Sequence, residues 1–389
     1  MTAAATKNIS STDTLTAAMN PSRVLMAAGG TGGHVYPAIA IADEFVAHNP
    51  KINLLFVGTR DRMEWETVPK HGYKIRSIWI SGLHRRLTIQ NLLFPLKLLV
   101  SIIQSFFILR SFRPDLVIAC GGFASGPIGW MAVKLGIPLI LQEQNSFPGV
   151  TNRMLGKHAS LIFTAFDDAK THFPIDKVRL TGNPVRSTLQ KTDRPAALKI
   201  FGFSDDKPVL LVLGGSGGAR AINERMVLAL DELHNVMNLQ LIWQCGESYY
   251  DGLIRRIKTK NYPNLRLVKF IDDMPPAYGA ADLVVTRAGA GTCSELMNIG
   301  QPAILIPSPN VAGNHQEKNA RSLTSTGAAI LLKEENLADE FIPNINNLIF
   351  DSERLDAMSE AMLNLAKPDA AVQIIREILT YVKQHQNEQ

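Results

Sequence analysis

Apolar runs of four to six residues recur along the chain and alternate with longer stretches of helical spacing. Parallel strands covered by helices on both faces show this pattern, because both faces of each strand are buried. The runs predict strands at 23–28, 54–58, 116–120, 138–142, 161–164, 209–213, 239–243, 265–268, 283–286 and 302–307. We expect the run at 161–164 to close the first series. The chain is therefore predicted to form two Rossmann-like α/β halves, each a doubly wound parallel sheet.

A change in composition marks the predicted boundary between the halves. Gly182–Arg186 is followed by a polar, proline-containing stretch that is typical of a linker. We predict a first domain at 21–186 and a second at 187–367, with a final helix at about 368–386 that returns to the first domain. Residues 1–20 are rich in Ala, Thr and Ser and have no apolar core, which predicts a disordered tail and no signal peptide.

Three glycine-rich loops follow predicted strands: Gly29–His34, Gly121–Pro127 and Gly214–Arg220. Glycine permits sharp turns and close approach of a ligand to the backbone. The N–H groups at the start of the next helix favour an anion. One such loop alone could be a plain turn between a strand and a helix. Two halves that each open with one predict a ligand cleft between them, beyond the carboxyl ends of the strands.

Known glycine signatures do not fit these loops. A Walker loop would need Gly-Lys-Ser/Thr, which follows none of them. In the dinucleotide fingerprint the third glycine would fall at Val35 or Arg220, and the acidic residue expected after the second strand is replaced by Gly58–Arg60. Nicotinamide binding is therefore disfavoured.

Composition narrows the class of protein further. The chain of 389 residues is 46% hydrophobic and 19% charged, which excludes low-complexity disorder. Its net charge of +5 suits a membrane surface or a phosphorylated substrate. It has no nucleic-acid motif, so we expect no nucleic-acid partner. Three scattered cysteines, with no CxxC or HExxH spacing, predict a reducing compartment, no disulfide framework and no metal site.

A fourth loop, Arg287–Glu295, also follows a predicted strand, and its small residues could admit a diphosphate. Glu295 is expected in the first turn of the next helix, where its carboxylate could accept both hydroxyls of a ribose. Alternatively, Thr292 and Glu295 form a capping box. Two halves with anion-binding loops and no metal signature favour a nucleotide-sugar enzyme.

The ordered motifs of the chain resemble those of glycosyltransferase family 28, the N-acetylglucosamine transferases of peptidoglycan synthesis. The matching motifs are Gly29–His34, Gly121–Pro127, Glu143–Asn145 with Pro148, Gly149 and Asn152, Thr181–Arg186, Gly214–Arg220, Phe270–Met274, Gly289–Glu295, Gln316 and Asn319. Two positions depart from the family pattern. The family usually has Gln where Gly217 or Gly218 stands and often His where Gln142 stands, and both departures concern backbone cradles more than chemistry.

The resemblance implies a GT-B fold, with two Rossmann-like domains facing across a cleft, and an inverting, metal-independent transfer that needs no cofactor. The donor would be UDP-N-acetylglucosamine. The acceptor would be the muramoyl 4-hydroxyl of lipid I, the undecaprenyl-linked precursor, and the product lipid II. The alternatives are another GT-B enzyme, such as an epimerase or a glycolipid glycosyltransferase, and a non-catalytic module that binds a nucleotide sugar or a lipid.

The resemblance also assigns donor binding to residues in both domains. They are Thr31, Gly32, Gly33, Asn145, Arg186, Ser216, Ile271, Ala290, Gly291, Thr292, Cys293, Ser294, Glu295, Gln316 and Asn319. Arg186 and the N–H groups near Ser216 would hold the diphosphate, although Arg186 could instead be a solvated surface residue. Ile271 would offer backbone groups to uracil, with its side chain mainly in the core.

His34 is the predicted general base, because inverting transfer deprotonates the attacking hydroxyl and neutral imidazole suits that task. It could instead be a structural or phosphate-binding histidine. Glu143 and Asn145, at the end of a predicted strand, are rival or assisting groups.

The stretch from Leu83 to Arg113 is predicted to face the membrane. Cations there interrupt or flank a broad apolar surface, as in helices that lie in the interface. The residues expected at this face are Arg85, Arg86, Leu92, Leu93, Phe94, Lys97, Phe106 and Phe107. Polar residues break the run, so we expect no transmembrane helix. The alternative is a buried crossover helix. If the stretch faces the membrane, the enzyme is expected to be peripheral on the cytoplasmic face of the cell membrane. Its expected partners are an anionic membrane surface and other cell-wall synthesis proteins.

Overall fold

The computed structural model describes residues 21–82, 92–185, 189–257 and 262–386. Its first sheet has seven parallel strands in the order β3-β2-β1-β4-β5-β6-β7. These strands are β1 Arg23–Ala27, β2 Asn53–Gly58, β3 Lys74–Ser77, β4 Leu116–Ala119, β5 Leu139–Glu143, β6 Leu161–Thr164 and β7 Val178–Leu180. The order reverses between β1 and β4, which creates a crevice at their carboxyl ends.

The second sheet has six parallel strands in the order β10-β9-β8-β11-β12-β13. They are β8 Val209–Leu213, β9 Gln240–Gln244, β10 Leu265–Val268, β11 Leu283–Thr286, β12 Ala303–Leu305 and β13 Ala329–Leu331. The order reverses between β8 and β11. The two-domain, doubly wound architecture expected from the sequence is confirmed.

Helices cover both faces of each sheet. In the first half they are α1 Gly32–His48, α2 Glu64–Lys70, α3 Phe94–Phe112, α4 Ser125–Lys134 and α5 Val150–Gly156. In the second half they are α6 Arg194–Phe201, α7 Arg220–Asp231, α8 Glu247–Ile257, α9 Met274–Ala280, α10 Ala290–Ile299, α11 His315–Thr324, α12 Leu337–Ile349 and α13 Ser352–Leu365. The last helix, α14 Ala370–Gln386, packs on the first half.

Alternation along the central strands divides each core into two layers. In β1, Val24 and Met26 belong to one apolar cluster, whereas Leu25 and Ala27 belong to the cluster on the opposite face. All four side chains are fully buried. The continuous apolar runs therefore arise because every central strand position meets a helix on one side of the sheet or the other.

Strands β3, β7 and β13 lie at or next to the edges of the two sheets and were not predicted. The expectation that 161–164 closes the first series is wrong, because β7 pairs with β6 on its outer side. The sequence of β3 is Lys-Ile-Arg-Ser, and its residues are alternately exposed and half-buried. Strands β3 and β7 have no continuous apolar run, because only part of their surface is covered. Strand β13 is apolar but only three residues long.

The two halves are joined by more than one segment. Helix α14 contributes Ile374, Ile375 and Ile378 to the same buried cluster as β1. The chain also approaches itself closely where it passes between the domains, since a Cβ at Gly182 would lie 2.3 Å from Cβ of Lys367. Gly182 has a φ of 87°, which favours glycine. The segment that leads from the first domain to α6 and the segment before α14 therefore run side by side.

Candidate active site

The first two glycine loops pack backbone to backbone at the carboxyl edge of the first sheet. A Cβ at Gly122, whose φ is 83°, would lie 2.0 Å from the carbonyl oxygen of Gly29. No side chain fits between the loops, so glycine is required there. The first loop leads into α1, with Thr31 exposed and Gly32 and Gly33 half-buried at its start.

Glu64 binds the backbone of the first glycine loop, and the sequence analysis did not identify it. Its fully buried carboxylate accepts hydrogen bonds from Gly30 N at 3.0 Å and from the backbone and hydroxyl of Thr59 at 2.9 and 2.8 Å. A Cβ at Gly29 would lie 2.6 Å from the carboxylate. In the sequence, Glu64 is one of several acidic residues that follow the second strand, and nothing there indicates that it binds the loop.

His34 lies at the end of the first loop and is half-buried. Its Nδ1 lies 2.8 Å from Oε1 of Gln144, which follows β5. A Cβ at Gly121, whose φ is 97°, would lie 2.8 Å from the same nitrogen. The first glycine loop, the second glycine loop and the end of β5 thus meet at this imidazole.

Glu143, the rival candidate base, is buried, and both of its carboxylate oxygens accept hydrogen bonds within the protein. It is 1% exposed. One carboxylate oxygen accepts from the backbone and side-chain nitrogens of Asn145. The other accepts from Gly149 N at 3.1 Å and from Nδ2 of Asn152 at 2.9 Å. Four donors thus hold the Glu143 carboxylate and fix the loop after β5, and His34 is the more accessible of the two candidate bases.

Asn319, predicted to contact the donor, forms hydrogen bonds that link the two domains. It is fully buried in α11. Its Oδ1 accepts from the backbone and hydroxyl of Ser146 at 2.9 and 3.1 Å. Its Nδ2 donates to Oδ1 of Asn145 at 3.3 Å and to the carbonyl of Ala288 at 3.2 Å. Both amide groups are therefore used, and Asn145, also predicted to bind the donor, is held from both sides.

The third glycine loop opens the second domain, and Ser216 is exposed at its tip. A Cβ at Gly218, whose φ is 75°, would lie 2.2 Å from the carbonyl oxygen of Cys245. At Gly217 a Cβ would meet open space. The glutamine that is usual in the family could therefore replace Gly217 but not Gly218, and the exposed backbone at this edge is the part of the loop that can approach a diphosphate.

The helix that follows the fourth loop begins earlier than the sequence predicted. Helix α10 begins at Ala290, and Glu295 lies beyond its first turn. The capping-box interpretation is wrong, because Gly289 is the capping residue and Oε2 of Glu295 accepts from the hydroxyl of Tyr278 at 3.0 Å. Burial, reinforced by the Glu295 carboxylate, raises the pKa of Tyr278 well above its ordinary value.

Within the same segment, Cys293 and Ser294 are buried, whereas Gly291 and Thr292 are half-buried. The hydroxyl of Ser294 donates to the carbonyl of Ala290 at 2.9 Å. Burial raises the pKa of the Cys293 thiol to about 12. Both side chains therefore serve packing, and the backbone of this turn and the half-buried Thr292 are left to face a ligand.

Two further predicted donor residues lie in the second domain. Ile271 is half-buried and packs against a core cluster of that domain. Gln316 is half-buried, and its Oε1 accepts from Ser308 N at 2.8 Å. Arg186 lies outside the described residues, so its assignment to the diphosphate stays a prediction. Among the described residues, no group of three or more His, Cys, Asp or Glu side chains could hold a metal ion.

Helix α3 has an unusual orientation of its apolar and polar residues. Ser101 and Ser105 face the protein and are fully buried, and each hydroxyl donates to a carbonyl within the helix. The exposed surface is apolar and comprises Leu92, Leu93, Leu96, Leu98, Leu99, Ile103, Phe106 and Phe107. Phe94 is half-buried. Lys97 donates to the hydroxyl of Ser81 at 3.0 Å and lies over the ring of Trp79.

By length and composition alone, α3 is the single helix among the described residues that could cross a membrane, and 22% of its apolar window is buried within the protein. The alternative of a buried crossover helix does not fit this exposure. Arg85 and Arg86 lie outside the described residues.

Two domains, each a doubly wound parallel sheet with a glycine loop at the carboxyl end of its first strand, have the architecture of the GT-B class. Each half of the chain also matches a model of a known protein family. Residues 24–164 match the glycosyltransferase family 28 N-terminal domain, and residues 209–374 match the family 28 C-terminal domain. The chain belongs to glycosyltransferase family 28.

Relatives and solved structures support this assignment along most of the chain. The chain is 46% identical to the UDP-N-acetylglucosamine–N-acetylmuramyl-(pentapeptide) pyrophosphoryl-undecaprenol N-acetylglucosamine transferase of Christiangramia forsetii, over 92% of this chain and 96% of the relative. It is 44% identical to the enzyme of the same name from Flavobacterium psychrophilum, over 94% and 99%. The crystal structure of Acinetobacter baumannii MurG superposes with a TM-score of 0.73 at 29% identity, covering 92% of this chain and all of that one.

A putative UDP-N-acetylglucosamine 2-epimerase from Listeria monocytogenes superposes with a TM-score of 0.69 at 17% identity, covering 95% of this chain and 98% of that one. At that identity the similarity concerns the fold alone.

Proposed function

We propose that the protein transfers N-acetylglucosamine from UDP-N-acetylglucosamine to the muramoyl 4-hydroxyl of lipid I, with inversion, and so forms lipid II. The observation that carries this proposal is the 46% identity over 92% of the chain to an enzyme named for that transfer. The transfer would need neither a metal nor a cofactor, and the nucleotide sugar is a substrate.

The donor is proposed to lie against the second domain. The third glycine loop near Ser216 and the start of α10 offer backbone N–H groups to the diphosphate. Glu295, oriented by Tyr278, would accept the ribose hydroxyls, and the backbone of Ile271 would meet uracil. Arg186 would add a positive charge. Fixed donors around a leaving diphosphate stabilise the negative charge that develops there without reorganisation.

The reacting hydroxyl is proposed to lie beside His34 on the first domain. The hydroxyl oxygen bonds to C1 of the sugar as the bond from C1 to the diphosphate oxygen breaks. The hydroxyl proton passes to His34, and UDP leaves with the bonding electron pair. His34 is suited to this role because it lies on the surface formed by two glycine loops, whereas Glu143 is enclosed by four donors.

The acceptor carries a lipid chain, so its domain must approach a membrane. The exposed apolar face of α3 supports binding at the interface, with Lys97 and the predicted Arg85 and Arg86 near anionic headgroups. The enzyme would thus act as a peripheral protein on the cytoplasmic face of the cell membrane.

The transfer is tested by incubation with UDP-N-acetylglucosamine and a lipid I analogue in EDTA. We expect the acceptor to gain the mass of one N-acetylglucosamine residue and UDP to be released. Loss of transfer in EDTA with recovery in magnesium would contradict metal independence. Epimerised nucleotide sugar, with no change in the acceptor, would show an epimerase instead.

The role of His34 is tested by His34→Ala, with His48→Ala as the matched control because His48 is exposed at the other end of α1. A general base contributes about 10²–10⁴-fold to the rate. We expect kcat to fall by that order while the donor Kd changes little. A near-normal kcat with collapsed donor binding would instead make His34 a phosphate-loop residue.

A further inference from the structure

A line of side-chain amides runs from His34 into the interior of the first domain. Nδ1 of His34 meets Oε1 of Gln144 at 2.8 Å. Nε2 of Gln144 donates to Oε1 of Gln142, and Nε2 of Gln142 donates to Oδ1 of Asn183 at 3.2 Å. Gln142, Gln144 and Asn183 are each no more than 3% exposed. The line thus links the predicted base to the segment that leaves the domain beside Gly182.

The orientation of the Gln144 amide is fixed by its surroundings. Its nitrogen faces three acceptors: the carbonyl of Cys120 at 2.7 Å, the carbonyl of Gln142 at 3.1 Å and Oε1 of Gln142. Rotating the amide by 180° would place an oxygen against three oxygens and bury it without a donor, which is costly. Oε1 of Gln144 must therefore point toward His34.

An amide oxygen only accepts hydrogen bonds. Nδ1 of His34 must therefore carry the proton in this contact, and in the neutral ring Nε2 is then the nitrogen with the free electron pair. The hydrogen bond made by one ring nitrogen selects the tautomer at the other. A side chain at Gly121 would collide with Nδ1, so glycine at this position leaves the space in which the ring lies against Gln144.

We propose that Gln144 is a positioning residue that fixes neutral His34 as its Nδ1–H tautomer, so that Nε2 is the atom that receives the proton of the acceptor hydroxyl. This inference rests on the proposed role of His34 as general base. Gln142 acts one step further away, because it occupies the nitrogen of Gln144. Without Gln144, His34 can protonate at Nε2, and that tautomer cannot accept a proton there.

The first test reads the tautomer directly and does not depend on activity. Wild-type protein labelled with ¹⁵N in the histidine rings is examined by long-range ¹H–¹⁵N NMR at alkaline pH, and the His34 signals are assigned from their loss in His34→Ala. We expect a protonated Nδ1 and an unprotonated Nε2. A protonated Nε2 in the wild type would overturn the proposal, whatever the role of His34 in the reaction.

The second test compares Gln144→Met with Gln301→Met, a buried glutamine of the second domain whose nitrogen donates to the carbonyl of Ala281 at 3.0 Å. We expect Gln144→Met to shift His34 toward the Nε2–H form and to lower kcat about tenfold or more with little change in donor Kd. Gln301→Met should change neither. An unchanged tautomer and kcat in Gln144→Met would contradict the proposal. A normal kcat in His34→Ala would instead contradict the base role itself.

Discussion

The contact between Tyr278 and Glu295 fixes a carboxylate at the start of the proposed donor site. Burial and the neighbouring carboxylate both disfavour the phenolate, so the pKa of Tyr278 lies well above 10.0. The folded value is above the unfolded one. The stabilising contact is therefore fully present below pH 10 and is lost only as the pH rises through the folded pKa.

We predict that Glu295→Gln weakens binding of UDP-N-acetylglucosamine about 10–100-fold, because hydrogen bonds to a charged group contribute about 1.5–3 kcal/mol. Isothermal titration calorimetry measures this. Tyr278→Phe should weaken binding less, and the wild-type Kd should not follow a tyrosine titration between pH 6 and 9. An unchanged Kd in Glu295→Gln with a lower Tm would mean that the carboxylate serves stability only.

Unlike Glu295, Glu143 is expected to contribute mainly to the stability of the fold. We predict that Glu143→Gln lowers the free energy of unfolding by about 2 kcal/mol or more, because a buried anion with four donors is replaced by an amide that cannot accept from all of them. Chemical denaturation measures this. Glu224→Gln, at a surface ion pair with Arg220, is the control and should change stability little. If Glu143→Gln kept full stability but lost the chemical step, Glu143 would again be a candidate base.

At the residue scale, the motifs could be identified from the sequence. Which of their side-chain atoms form hydrogen bonds within the protein could not. Glu143, Asn145 and Asn319 were grouped with the ligand site because they belong to matching motifs. Glu143 is bonded by its own loop, whereas Asn145 and Asn319 meet across the two domains, and only the fold shows either set of contacts. Glu64 was missed because its partner Gly30 lies 34 residues away in the chain and is brought to it only by the fold.

At the scale of elements, α3 presents its apolar side outward and its serines inward. We predict that Leu99→Ser with Phe107→Ser lowers binding to anionic vesicles, because both side chains are more than half exposed, at 57% and 64%. Vesicle cosedimentation measures this, with Tm as the check on folding. Ile108→Ser, on the buried side, is the control and should lower Tm by contrast. Unchanged vesicle binding in the double variant would remove α3 from the membrane face.

The cationic part of this surface is a separate prediction. Replacing Arg85, Arg86 and Lys97 with Gln should lower binding to anionic vesicles and reduce its dependence on salt, because each basic residue near such a surface contributes about 1 kcal/mol. Vesicle binding at two salt concentrations measures both effects. Wild-type binding that ignores salt and these changes would contradict an electrostatic contribution.

The central strands could be predicted because burial on both faces demands an uninterrupted apolar run. Strands β3 and β7 could not, since they mix polar with apolar residues and are decided by backbone pairing to a neighbour, and β13 is a run of only three residues. The apolar character of α3 was visible in the sequence. Its outward orientation was indicated only indirectly, by the flanking cations, because helical periodicity alone does not reveal which side meets the protein.

At the scale of the whole molecule, helix α11 is a main point of contact between the domains. Besides Asn319, it places Ser322 within 2.9 Å of a carboxylate oxygen of Asp168 and Lys318 over the ring of Phe147. These partners belong to loops that follow strands of the first sheet. The two halves could be predicted from the repeated strand pattern, but contacts of this kind depend on how the finished domains meet.

The contacts of Asn319 predict an effect on domain arrangement. Asn319→Leu keeps a similar volume but removes three hydrogen bonds to Asn145 and Ser146. At about 1 kcal/mol each, their loss can change the ratio of closed to open arrangements about a hundredfold. We therefore expect a larger radius of gyration in small-angle X-ray scattering and weaker binding of the donor, since both domains contribute to the proposed site.

Asn223→Leu is the matched control for Asn319→Leu, because Asn223 is equally enclosed but its hydrogen bonds join it to Trp243 and Cys245 of its own domain. That variant should lower Tm without changing the radius of gyration. If Asn319→Leu behaved in the same way, Asn319 would support local stability and the domain arrangement would depend on α14 and the paired segments at Gly182 and Lys367.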